Sequence, residues 1–131
     1  MRFEVNLGEY TSLRGSRFLG TVIKPHLDAL VMVNLVFLRT HTVPPLYRSG
    51  VIYRPEPPGQ EEFASIPAVL ARGWGDCDDI GPWRVAELRL HGEPAKIRIQ
   101  WKKLPNGKLF HVLVRRANGD LEDPCIKLGM P

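Results

Sequence analysis

Cysteine, histidine and aspartate occur in this chain in the order that acyl transfer through a thiol requires. Cys77 stands in Gly73-Trp74-Gly75-Asp76-Cys77-Asp78-Asp79, His111 follows on an expected strand, and Asp123 comes just past the next turn. A thiolate is the attacking species, and an ordinary cysteine is mostly protonated at neutral pH. A helix N-terminus lowers that barrier through its unpaired N–H groups and partial positive charge. The same N–H groups can hold the oxyanion of a tetrahedral intermediate. Gly73 and Gly75 are expected to keep the approach to Cys77 open. Asp76, Asp78 and Asp79 act the other way, because nearby negative charge disfavours a thiolate. A reactive Cys77 therefore needs an imidazolium partner, and His111 is the candidate.

The elements that must position these groups follow from pattern. The chain of 131 residues is expected to form one domain, residues 1–131, of mixed α+β class. Phe3, Val5 and Leu7 alternate as in a short edge strand. Leu27, Leu30, Val31, Leu35 and Leu38 recur at helical spacing, so a helix of about 16 residues from Pro25 is expected to be the central buried one. Pro44-Pro45 ends it, and a long loop runs from Leu46 to Gly59. Ser65 to Arg72 reads as a short helix, and Cys77 to Leu90 as a longer one, with Gly81, Val85 and Leu88 on the side of Cys77. Pro82 is expected to kink that second helix or delay its regular part to about residue 80.

A three-stranded antiparallel meander completes the pattern. Ile97, Ile99 and Trp101 alternate with polar residues, Leu104-Pro105-Asn106-Gly107 suits a turn, and Leu109 to Val114 forms the second strand. The third is expected over Leu121 to Ile126. The turn between the last two strands decides the site. A two-residue Asn118-Gly119 turn would put Asp123 on the wrong side of the sheet, since one residue of slip flips every side chain. A type I turn with Gly119 in a bulge instead sets Leu113 opposite Asp123. Asp123 is then the diagonal neighbour of His111 on the same face. The same register sets Cys125 opposite His111 as a rival thiol, ranked lower because no helix terminus activates it.

These segments resemble the transglutaminase-like cysteine proteinases, the branch of the papain-like superfamily that runs Cys, His, Asp. The resemblance rests on Gly75-Asp76-Cys77-Asp78-Asp79, His111-Val112-Leu113-Val114 and Glu122-Asp123-Pro124, across residues 65–130. It implies Cys77 as nucleophile, His111 as general base and acid, and Asp123 as its orienter. It also implies a Cys-bearing helix packed on an antiparallel sheet carrying His and Asp. Small stand-alone chains of this kind resemble tailed-phage and prophage gene products, which implies a virion or assembly partner. No side-chain oxyanion donor is assigned; Tyr53 and Gln60 are loop residues that could serve.

The expected activity is a hydrolase or acyl transferase acting on an amide or isopeptide bond through a thioester. The alternative is a silent binding module on the same fold. Cys77, His111 and Asp123 could also ligate zinc, but no closely spaced ligand pair supports a metal site, so no metal or cofactor is expected. The expected partner is a protein or peptide substrate. The charge of +4 is scattered rather than clustered, which disfavours nucleic acid. The apolar run Leu27–Leu38 falls short of the roughly 20 residues of a membrane span, and no signal-peptide core is visible. The expected location is the cytoplasm, of a host cell or within a virion, and a disulfide between Cys77 and Cys125 is not expected.

Overall fold

A computed structural model describes residues 2–4, 16–57, 62–104 and 107–131, with side chains described for 21–57, 62–101 and 110–131. It is a mixed α+β structure built around one helix. In chain order the elements are β1 (Arg2–Glu4), α1 (Ser16–Thr40), a single 3-10 turn (Leu46–Arg48), β2 (Ile52–Tyr53), β3 (Glu62–Ala64) and α2 (Ile66–Arg72). There follow β4 (Trp74–Gly75), α3 (Cys77–Leu90), β5 (Lys96–Leu104), β6 (Gly107–Arg115), β7 (Leu121–Glu122) and α4 (Pro124–Lys127). Strands β5, β6 and β7 form the antiparallel meander, β1 pairs with β3, and β2 runs parallel to β4.

The central helix is α3, not α1 as the apolar pattern suggested. Eleven of the fourteen residues of α3 are buried, from Cys77 to Leu88. Three of them, Asp78, Asp79 and Glu87, are acidic, which is why hydropathy alone understates its burial. Helix α1 begins nine residues before Pro25 and carries that proline inside it. It buries Ile23, Leu27, Leu30, Val31 and Leu35 but leaves Met32 and Val36 more than half exposed. At its full extent the stretch Thr21–Thr40 is long and apolar enough to cross a membrane by length and composition, with a third of it buried in the fold. The polar interruptions have partners: Lys24 binds Asp28 one turn away, and the Asn34 side chain accepts the Ile66 N–H at the start of α2.

Pro82 neither delays α3 nor interrupts it; the helix runs from Cys77 with that proline buried inside. Its packing on the sheet depends on the next residue back. A β-carbon on Gly81 would lie 2.6 Å from Cγ1 of Val112 on β6, so only glycine allows this approach. Val112 and Val114, with their β5 partners Ile99 and Ile97, thus form the face turned to α3.

The last hairpin has the bulged three-residue turn. Val114 pairs with Glu122 and Arg115 with Leu121, Arg116 and Asp120 close the loop, and Gly119 adopts a φ of 92°. The third strand is shorter than expected. It stops at Glu122, and Asp123 caps α4, so Cys125 lies on a buried helical turn rather than opposite His111 on a ladder. The loop from Leu46 likewise holds a helical turn and β2. Val5, Leu7, Gly59, Gln60, Pro105 and Asn106 lie outside the described residues.

The Gly81–Val112 approach yields a direct test. Gly81→Ala should destabilise the fold by about 1–3 kcal/mol through forced separation of helix and strand. Chemical denaturation of the two forms measures it, and an unchanged midpoint would show that the contact is looser than described.

Candidate functional site

Asp123 is the anchor of the site. Its extended backbone ends β7, and its Oδ1 accepts the N–H groups of Cys125 and Ile126 at 3.0 and 3.4 Å, which caps α4. Its Oδ2 lies 2.7 Å from Nε2 of His111. A carboxylate accepts, so Nε2 carries a proton, and in the neutral ring Nδ1 keeps its lone pair. The pair is neither buried away nor fully solvated, with side-chain exposures of 22 % for His111 and 18 % for Asp123.

Cys77 reaches the same strand by another route. Successive N–H groups of a strand point to opposite edges. The Arg116 N–H bonds Asp120 at the β7 side, so those of Val114 and Val112 point that way too. The register would set residue 124 beside Val112, but the chain has turned there, and the Pro124 carbonyl accepts from Leu128 within α4. The Val112 amide instead lies close enough to the Cys77 sulfur to favour its ionised form slightly. The thiol thus lies near Val112, one residue along β6 from His111, and among the described residues no hydrogen bond joins the sulfur to the imidazole.

The first turn of α3 is closed by carboxylates. Asp76 and Asp79 form a reciprocal capping box, and Asp76 Oδ1 accepts the Cys77 N–H at 2.6 Å. Its other oxygen accepts the Glu56 N–H. The backbone donor expected to face an oxyanion is thus already occupied by a side chain. Cys77 is itself only 7 % exposed. Burial, then the charges of Asp78, Asp76 and Cys125, push its thiol well above the ordinary range, and the Val112 amide offsets only part of this. Burial, then the charges of Asp123, Asp76 and Asp78, raise Cys125 as well.

The two glycines before Cys77 have structural reasons of their own. Gly73 ends α2 at a φ of 81°, the left-handed C-cap. A β-carbon on Gly75 would lie 3.1 Å from Cγ1 of Ile80 and 3.3 Å from Cβ of Asp79. The close approach serves helix packing, not only access. Trp74 lies under two guanidinium groups, Arg72 at 3.9 Å and Arg54 at 5.3 Å from its ring centre.

Two networks escaped the sequence pattern because they join distant segments. Asp79, fully buried, accepts from the Ala64 N–H at 2.6 Å, from Arg72 at 2.6 Å and from the Asp76 N–H at 3.0 Å. Glu56 and Asp78 approach it closely enough to suggest a cation cluster. The protein's own Arg72 is the cation there, and Glu56 Oε2 already accepts the Glu62 N–H. The second network centres on Glu122, which receives Arg84 at 2.6 Å, Arg116 at 2.7 Å and the Tyr47 hydroxyl. Arg84 also binds Glu87, whose other oxygen accepts the Leu46 N–H. Burial would raise Glu122, but hydrogen bonds from Arg84 and Tyr47 outweigh it and hold the acid at about 2.

His26 bonds its own helix at Val22, His41 lies beyond the end of α1, and His91 caps α3. Compared with protein-family models, with curated proteins and with solved structures, the chain finds no match in any of the three.

The acid cluster sets a pH dependence. Burial, then the charge of Asp79, pushes Glu56 up to about 8 from an ordinary value of 4.5. A folded-state pKa raised in an acid means that stability is lost as pH rises between those values. Glu56→Gln keeps an oxygen for the Glu62 N–H and removes the charge. Its melting temperature should therefore gain on the wild type between pH 5 and pH 8. A constant difference across that range would show that Glu56 is not the group responsible.

Proposed function

We propose that this protein is a cysteine-dependent amide or isopeptide hydrolase, or acyl transferase, on a transglutaminase-like core. The observation that carries the reading is the pairing of His111 with Asp123 at 2.7 Å, on the strand whose next residue lies near the Cys77 thiol. In this reading Asp123 orients the ring and stabilises it when protonated. Nδ1 of His111 takes the thiol proton as the sulfur attacks a carbonyl carbon. Because Asp76 and Asp78 oppose a standing thiolate, the nucleophile forms by proton transfer during attack rather than persisting as an ion pair. A thioester results, and water or an amine resolves it. A protein or peptide is the proposed substrate, a cytoplasmic or virion setting the proposed location, and a phage assembly the proposed context.

One observation favours a second reading, a silent binding module on the same core. Asp76 occupies the Cys77 N–H and the thiol is buried, which is how a retired nucleophile is kept inert. p-Nitrophenyl acetate separates the two. The enzyme reading expects a single acyl adduct on Cys77, found by mass spectrometry, and a loss on the order of 10²–10⁴ in acylation rate for His111→Ala. Asp123→Asn should lower the rate as well. No adduct on Cys77, or equal rates with and without His111, would leave the binding module.

A further inference from the structure

We infer that the phenol of Tyr53 is the oxyanion donor of the Cys77 site, a role that rests on the acyl-transfer reading above. The need for such a group comes from the first turn of α3. The usual donor, the N–H of the nucleophile itself, is held by Asp76 Oδ1 at 2.6 Å. The Val112 amide lies near the sulfur rather than in a strand ladder. A developing negative charge on a carbonyl oxygen is therefore without that usual backbone donor, which gives a side-chain donor a role.

The placement of Tyr53 follows from the β2–β4 ribbon. Tyr53 is the register partner of Gly75, two residues before Cys77. Partners in a ladder share a face, and the face of Gly75 is the one turned onto Asp79 and Ile80 at the start of α3. On its other edge the Tyr53 N–H donates to the Leu128 carbonyl at 2.9 Å, at the end of the helix that Asp123 caps. Tyr53 thus bridges the two elements that present the nucleophile and the acid. Its side chain is half-buried against the core, and its phenol is within electrostatic reach of Asp76, Cys77, Cys125 and Asp123. Among the described residues the hydroxyl has no hydrogen-bond acceptor, so its proton is available. Burial, then the surrounding acids and thiols, keep that proton in place far above neutral pH. A neutral phenol that donates without ionising is the kind of group an oxyanion needs.

The step balances with these groups alone. The sulfur–carbon bond forms as the thiol proton passes to His111 and the carbonyl π electrons move onto oxygen, which accepts from Tyr53. When the carbonyl re-forms, the carbon–nitrogen bond breaks and His111 returns its proton to the departing amine. With a nitrophenyl ester the leaving group is nitrophenolate.

Tyr53→Phe removes the hydroxyl and keeps the ring. Acylation of Cys77 by p-nitrophenyl acetate should fall by on the order of 10²-fold, while alkylation by iodoacetamide, which forms no oxyanion, stays unchanged. Unchanged acylation would overturn the assignment and leave the acyl-transfer reading standing. A parallel fall in both rates would make Tyr53 a packing residue and also overturn it. If the wild type forms no acyl adduct on Cys77, the assignment and the reading beneath it fall together.

Discussion

The point where β7 becomes α4 governs the candidate site. A strand that continued past Glu122 would pair with Val112 and consume its amide. The chain instead turns at Asp123-Pro124, which leaves the Val112 N–H without a strand partner and near the Cys77 sulfur. One carboxylate serves both ends of this turn, its Oδ1 capping the new helix and its Oδ2 holding His111. A buried backbone group must find a partner somewhere. Ending the strand turns one such group toward a thiol instead of a ladder partner.

Charge pairing keeps that turn in place. Glu122, the last residue of β7, is held by Arg84 from α3, by Arg116 from the hairpin and by Tyr47 from the 3-10 turn. Exposed ion pairs of this kind contribute little singly, but Glu122 is largely buried and shares its two oxygens among three donors. Its neighbour Asp123 is therefore fixed to the central helix from one side and to α4 from the other. The orientation of His111 inherits that rigidity.

The start of α3 carries an opposing tendency. A helix N-terminus favours an anion, and here the anions are Asp76 and Asp79 rather than the Cys77 sulfur. Asp79 also ties β3 and α2 to the helix, so the acids that hold the fold together are the ones that discourage a thiolate. In the proposed acyl-transfer reading, attack by Cys77 works against this field through proton transfer to His111. This is why the His111–Asp123 pair matters more here than the helix dipole.

Local pattern was sufficient for several features. The helix over Cys77–Leu90, the short helix before it and the antiparallel alternation of β5 and β6 are all short-range signals. So is the bulged hairpin register, which turn chemistry and a two-residue period define together and which brought His111 and Asp123 to one face. Tertiary structure alone decided which helix is central, because the buried acids of α3 take their partners from segments up to 41 residues away in the chain. It also decided the end of β7, the capture of the Cys77 amide by Asp76 and the approach of Tyr53 to the helix start. Periodicity reports which residues avoid water. It carries no information on which distant donor meets a buried carboxylate, or on which backbone amide a terminated strand leaves to a neighbouring sulfur.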